Sequence, residues 1–328
     1  MTDIPVLVVG GAGYIGSHTC LKLSQSGFLP VVYDNLSNGH DEFVRWGPLV
    51  VGDIRDRARL DEVLQHYAPV AIIHFAALIE VGESVKDPVS FYENNVIGSL
   101  TLLSAAQAAG IDAIVFSSTC ATYGLPELVP MDESHPQAPI NPYGRTKWVV
   151  EQALKDYDSY TELRSVTLRY FNAAGADFEG RIGEWHTPET HAIPLAIEAA
   201  LGRRPKFEVF GSDYDTRDGT CVRDYVHVID LADAHVRSVE YLLDGGTSLA
   251  LNLGTGTGTT VNELLETIST VSGQSFPVSF SARRQGDSPV LVANNDMAQE
   301  VLGWQPQFSL EEIARSAWRW HTSQNMSG

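Results

Sequence analysis

Cysteine is scarce in this chain: three in 328 residues, at Cys20, Cys120 and Cys221, with no C-x-x-C spacing. An odd and scattered set argues against a disulfide framework or a zinc site and suits a reducing cytoplasm. Basic residues are also few, 22 Lys and Arg against 41 Asp and Glu, for a formal charge of −19. Nonspecific nucleic-acid binding needs clustered cations and is not expected. A small anionic ligand feels only its local field, so it would need a few well-placed arginines. No apolar run approaches the roughly 18 residues that a membrane span requires. Repeats, low-complexity tracts and Pro/Gly/Ser-rich linkers are lacking too. The opening MTDIPVLVVGG has a short apolar stretch with no basic residue before it, and it reads as a first strand, not a signal peptide.

What is present is the composition of a globular chain, 44% hydrophobic and 19% charged. Its length allows one large or two ordinary domains. Short β-branched runs at 4–9, 30–34, 49–53, 70–76, 113–119 and 165–171 alternate with helical patterns near 14–26, 57–67, 88–109 and 142–157. Such alternation implies right-handed βαβ units and a parallel sheet. Ligands of such a sheet bind beyond the carboxyl ends of its strands, so unusual polar residues are expected there. Past residue 175 the pattern loosens. A polar stretch (176–191) precedes helices near 193–202, 230–243 and 261–272, strands at 207–210, 249–253 and 276–281, and an amphipathic helix at 309–322. The reading is an α/β fold: a Rossmann-type doubly wound parallel sheet over residues 1–175, with a smaller mixed α/β substrate domain over 176–328. The boundary is soft, because late strands can return to the main sheet.

VVGGAGYIGS follows the first strand and opens the first helix. Gly11, Gly13 and Gly16 satisfy G-x-G-x-x-G, and Gly10 extends the pattern. Glycines there permit a tight turn and close approach of backbone to a pyrophosphate, which the helix N-terminus favours. Alone, the triplet is equally a plain strand–helix turn. Asp34, 18 residues past Gly16 at the end of the second strand, adds a carboxylate for the ribose hydroxyls of an adenosine. Asn35 and Asn38 follow it with no Arg or Lys to receive a 2′-phosphate, which favours NAD over NADP. Asp53 and Ile54 after the third strand fall where an adenine would lie. Phe75, Ala76 and Ala77 close the fourth with small residues where a dinucleotide needs access.

Strand five ends in FSSTCATYG, presenting the Thr119 hydroxyl at the sheet edge, and INPYGRTK follows. Asn141 suits an N-cap and Pro142 the first helical turn. Tyr143 and Lys147 then share one helical face. An isolated Y-x-x-x-K is usually a solvated helix face. Placed after a dinucleotide fingerprint and a strand-end hydroxyl, it points to proton transfer.

These segments, together with DNLSNG, GDIRD, HFAALIEVGES, ENNVIGSL, LRYFNAAGA, ALGRRP, FGSDYDTRDGTCVRDYVHVIDLADAH and NLGTG, span essentially the whole chain. With them the chain resembles the extended short-chain dehydrogenase/reductase family and, within it, the nucleotide-sugar 4-epimerases. The resemblance implies exchange of a UDP-hexose between the gluco and galacto configurations, through a 4-keto sugar and bound NAD. It implies Tyr143 as base toward the 4-hydroxyl, Lys147 as holder of the nicotinamide ribose and acidifier of Tyr143, and Thr119 as hydrogen-bond partner of the 4-oxygen. Tyr14, Ile15, Asn94, Tyr170 and Phe171 join the implied cofactor site. For the substrate it implies Arg223 and Arg284 on the pyrophosphate, Asp287 on the uridine ribose, Phe210 at the uracil, and contacts from Asn172, His191, Tyr225, Val261 and Leu291. It further implies a homodimer through the helices near 88–109 and 142–157, and no metal.

Three positions depart from the family pattern. Ile79 stands where many relatives carry a lysine toward the cofactor. His191 stands where some carry asparagine, and is equally readable as a structural hydrogen-bonder. Leu291 stands where a tyrosine restricts some members to unmodified hexoses, so UDP-N-acetylglucosamine or UDP-pentose 4-epimerisation is the alternative. A 4,6-dehydratase needs an acid and a base beside the strand-end hydroxyl, where this chain has Cys120-Ala121. A catalytically silent NAD sensor would have no use for Tyr143 with Lys147.

Overall fold

The protein is described by a computed structural model covering residues 4–284 and 287–323. The first half runs β1 (Ile4–Val9), α1 (Tyr14–Gln25), β2 (Phe28–Asp34), β3 (Leu49–Val51), α2 (Arg57–Tyr67), β4 (Ala71–His74), α3 (Val81–Lys86), α4 (Pro88–Phe91), a π turn (Tyr92–Ile97), α5 (Gly98–Ala108), β5 (Ala113–Thr119), α6 (Pro142–Tyr160) and β6 (Arg164–Tyr170). There follow β7 (Asn172–Ala174), α7 (Ala192–Ala200), β8 (Phe207–Phe210), β9 (Val222–Arg223), β10 (Tyr225–His227), α8 (Val228–Leu243), β11 (Leu249–Leu253), β12 (Thr259–Thr260), α9 (Val261–Ser272), β13 (Val278–Ser281), β14 (Val290–Leu291), α10 (Asp296–Leu302) and α11 (Leu310–Ser323).

Seven parallel strands form the main sheet in the order β11-β6-β5-β4-β1-β2-β3. This is the doubly wound arrangement expected. Successive side chains of a strand face opposite ways, and here they feed two cores. Val6 and Val8 pack with α1 and α8 residues, whereas Leu7 and Val9 pack with residues of α2, α5 and α6. Leu249–Leu253 pairs with β6, so chain from beyond residue 175 completes the sheet.

A third core lies between α7, α9 and α11 and the small β8–β13 and β7–β10 pairs. The parallel β7–β10 pairing, Asn172 against Tyr225, ties this region to the end of β6. The expected single helix over 88–109 contains the wide turn at Tyr92–Ile97. Such turns shift side-chain register within a helix. Among the described residues, no helix is long and apolar enough to cross a membrane.

Candidate active site

β1 ends at Val9 and the chain turns at Gly10 with φ +85°. A Cβ there would stand 2.6 Å from the Ala76 amide nitrogen, so the turn needs glycine for both its backbone angle and its space. Gly13 caps α1 without any side-chain bond, which leaves the first-turn amides and the positive helix end to a ligand. Asp34 closes β2 beside them. Its carboxylate accepts from Leu36 N at 2.8 Å and Ala12 N at 3.0 Å, with lone pairs left over. Burial raises its pKa against those two amide bonds.

These groups open into a cavity of about 400 Å³ along the carboxyl ends of the strands. Its wall brings together Gly10, Gly13, Tyr14, Ile15, Gly16, Asp34, Asn35 and Asn38, then Ile54, Phe75, Ala76, Ala77 and Asn94, then Thr119, Tyr143, Tyr170, Phe171, Asn172, His191 and Tyr225. The glycine cradle, the Asp34 carboxylate and a wall that, among the described residues, holds no lysine or arginine fit an NAD-type dinucleotide without a 2′-phosphate.

The sequence-predicted residues Asp53, Lys147, Phe210, Arg223, Val261, Arg284, Asp287 and Leu291 do not line this cavity. The Asp53 carboxylate is occupied by a forked pair with Arg55 at 2.8 and 2.7 Å and by Asn35 at 3.2 Å. That pair holds it well below the usual carboxylate range. Ile79, the residue found in place of a lysine, does line the wall, half-exposed.

Thr119, Tyr143 and Lys147 converge at the edge of β5. The Asn141 side chain accepts from Gly144 N at 2.8 Å and starts α6 as the cap expected. A Cβ at Gly144 would lie 2.5 Å from Ala121 O, so the start of α6 rests directly on the chain leaving Thr119. Tyr143 and Lys147 are both buried. Burial pushes the Tyr143 phenol well above its ordinary value, against a smaller opposing hydrogen bond with Thr119. Burial likewise pulls Lys147 down to about 7, with Glu151 acting the other way. Lys147 Nζ donates to Ser117 O at 2.8 Å. In the protein without ligand burial dominates both groups, pushing the Tyr143 phenol up and Lys147 down.

A second cluster lies beyond Tyr225. Arg284 covers the Phe210 ring at 3.7 Å from its centroid. Arg223 donates to Ser288 O at 2.9 Å and faces Asp287 at 3.8 Å. Leu291 pairs with Arg223 through β14 and β9, and packs in a cluster with Tyr123, Met131, Phe171, Ala293 and Cys120. Phe171 connects that cluster to the cavity wall. Val261 starts α9, its amide bonded to Cys221 O at 3.2 Å.

Sequence reasoning passed over part of the wall: Tyr33, Glu80, Glu184 and His186. Glu184 and His186 belong to the polar stretch before α7, where the spacing E-x-H-x-x-E-x-H over 184–191 was an available signal. His191 Nδ1 meets Glu184 Oε1 at 2.5 Å. Burial lowers the His191 pKa, but the Glu184 and Glu189 carboxylates outweigh it and raise the imidazole to about 9.

The family model described as GDP-mannose 4,6 dehydratase matches residues 7–317. A UDP-glucose 4-epimerase of Rhizobium leguminosarum bv. trifolii is 77% identical over 325 residues, covering 99% of each chain. The crystal structure of a Brucella ovis UDP-glucose 4-epimerase in complex with NAD superposes with a TM-score of 0.95 at 54% identity, covering 96% of this chain and 98% of that one. A Stenotrophomonas maltophila UDP-glucose-4-epimerase with bound NAD and formylated UDP-arabinopyranose gives 0.97 at 41% identity, covering 99% and 100%.

Proposed function

Because the chain belongs to the UDP-glucose 4-epimerases, on the domain family described by GDP-mannose 4,6 dehydratase, we propose a division of labour among its residues for that reaction. The enzyme interconverts UDP-glucose and UDP-galactose through a 4-keto sugar and uses NAD. NAD, when bound, supplies the hydride acceptor and a positive nicotinamide ring whose charge favours the Tyr143 phenolate. Asp34 holds the adenosine ribose, and the Gly10–Gly16 turn with the α1 amides holds the pyrophosphate. Tyr143 accepts the proton of the 4-hydroxyl and later returns it, while Thr119 orients the 4-oxygen. Lys147, beneath them in the same helix, holds the nicotinamide ribose. The observation that carries this reading is the convergence of a strand-end hydroxyl, a buried phenol and a buried amine beside one dinucleotide-sized cavity.

The sugar must present both faces, so the nucleoside diphosphate takes the firm grip. Arg223 and Arg284 clamp the diphosphate, Phe210 meets the uracil and Asp287 the ribose, with Asn172, His191, Tyr225 and Val261 around them. Arginine forks suit this work. Residues 1–175 and 176–328 serve as cofactor and substrate regions, with β11 returned to the first. A second copy pairs along the α4–α5 and α6 helices, whose apolar Val89, Ile97 and Leu100 are exposed; sedimentation velocity reports it. Three unpaired cysteines suit a reducing cytoplasm.

Purified protein supplied with NAD is expected to interconvert the two UDP-hexoses without added reductant. Tyr143→Phe is expected to lose at least about a hundredfold in kcat while keeping UDP affinity. Full activity in that variant refutes the base assignment, and an inactive wild-type protein refutes the reading as a whole.

A further inference from the structure

The cofactor cavity has carboxylates in its wall at Asp34, Glu80 and Glu184 and, among the described residues, no lysine or arginine. A cavity serving a dinucleotide beside a nucleoside diphosphate thus draws little cationic charge from its own wall. One edge of that wall carries a different source. Glu184, His186, Glu189 and His191 each bring a donor atom to within 4.8 Å of the others. We propose that these four side chains bind a divalent metal ion of the zinc class in the wall of the cleft.

The distances carry the argument. Zinc bonds of about 2.0–2.1 Å in a tetrahedron put neighbouring ligand atoms about 3.4 Å apart. His186 Nδ1 lies 3.5 Å from Glu184 Oε1 and 3.6 Å from Glu189 Oε2. Those separations are long for hydrogen bonds and close to tetrahedral edges. The 2.5 Å contact of His191 with Glu184 must open, and the imidazole gives up its proton as the metal enters.

His186 Nδ1 is a second, separate observation. Nδ1 itself is enclosed and beyond hydrogen-bond distance of the two carboxylates that face it, while the side chain as a whole is 18% exposed. Glu189 is prepared in the same sense. Its Oε1 accepts from the Thr190 and His191 amides at 2.7 and 2.8 Å, while Oε2 faces His186.

The backing is firm. Trp320 Nε1 donates to Glu184 O at 2.9 Å, Tyr14 meets His186 edge-on, and His40 stacks on Trp185. Such outer contacts orient metal ligands. Two imidazoles with two carboxylates favour zinc over calcium or magnesium, which take oxygen ligands. The ion would offset the Glu184 and Glu189 carboxylates at that edge of the cleft.

The test uses the full chain with its NAD, stripped by chelation and titrated with Co2+ as an optical stand-in for Zn2+. One equivalent is expected to bind with the intense visible bands of four-coordinate cobalt. His186→Gln and Glu189→Gln are each expected to weaken binding at least about tenfold. Zn2+ is expected to raise the thermal midpoint of the parent protein and not that of Glu189→Gln, whose side chain lies outside the cavity wall. Missing bands, a thiolate charge-transfer band from Cys20, Cys120 or Cys221, or unchanged binding in both variants overturns the proposal. Metal content is read without turnover, so its failure leaves the epimerase reading standing.

Discussion

Replacing Glu151 by glutamine tests how the catalytic corner is held. Glu151 lies one helical turn beyond Lys147 on α6, with 2% of its side chain exposed, against Arg169 of β6 with 4%. Its carboxylate accepts from Arg169 Nη2 at 2.6 Å, Ser118 Oγ at 2.5 Å and Gln137 Nε2 at 2.7 Å. Arg169 continues to Tyr123 OH at 2.9 Å, and Tyr123 to Asn252 at 2.7 Å. One buried ion pair thus joins α6, β6 and β11 and reaches Ser118, the residue before Thr119. The pair is costly to desolvate, so its net worth is small. Leaving one charge behind is another matter, at about 3–5 kcal/mol.

Glu151→Gln keeps the shape and strands the guanidinium. We expect a loss of about 4 kcal/mol, a fall of roughly 1 M in the urea midpoint for a slope near 3 kcal/mol per M. Arg169→Met should cost about the same. Glu151→Leu/Arg169→Met leaves no charge unpaired, only the Ser118 and Gln137 donors. It should therefore cost well under the roughly 8 kcal/mol sum of the single changes. Additive losses, or a Glu151→Gln midpoint within about 0.2 M of the parent, refute the reasoning.

Lys147 sets a pH test. Its folded pKa near 7, lowered by burial, lies below the roughly 10.4 of an unfolded lysine. Between those values the unfolded chain binds more protons, so this residue's penalty is full below pH 7 and is relieved as pH rises, by at most about 1.4 kcal/mol per pH unit. Lys147→Met should therefore outlast the parent in urea most clearly at pH 6, with a lead that shrinks by pH 8.5; an equal lead at both refutes the assignment. Leu291 packs in one cluster with Phe171, which lines the cavity. Leu291→Tyr is expected to reduce any turnover of UDP-N-acetylglucosamine about tenfold more than that of UDP-glucose, and equal losses count against a gate.

Much of the site could be read from sequence because its signals are local. Gly10 to Gly16 sit in one turn, Asp34 ends the next strand, and Asn141, Tyr143 and Lys147 share the start of one helix. The capping bond of Asn141 and the glycine contact at residue 144 depend on neighbours in the chain. Partners set by folding were hidden. The pairing of β11 with β6 joins residues about eighty positions apart, and no periodicity distinguishes it from a strand of the smaller domain. The π turn at Tyr92–Ile97 keeps the apolar spacing of an ordinary helix. The Glu151–Arg169 pair reads as two surface charges until both are buried. The burial of Tyr143 and Lys147, the largest influence on both groups, is likewise set only by folding.

That burial bears on the chemistry. Both Tyr143 and Lys147 are pushed toward their neutral forms by the same dry surroundings. Burial thus disfavours an isolated phenolate there. In such surroundings an added positive charge acts far more strongly than in water. Under the proposed division of labour Tyr143 becomes basic when a cation fills the adjacent cavity, whose wall, among the described residues, offers no lysine or arginine. Base strength is thereby tied to occupancy: proton abstraction waits for the charged partner, which is the order an enzyme needs if the sugar is to be oxidised only when its hydride has somewhere to go.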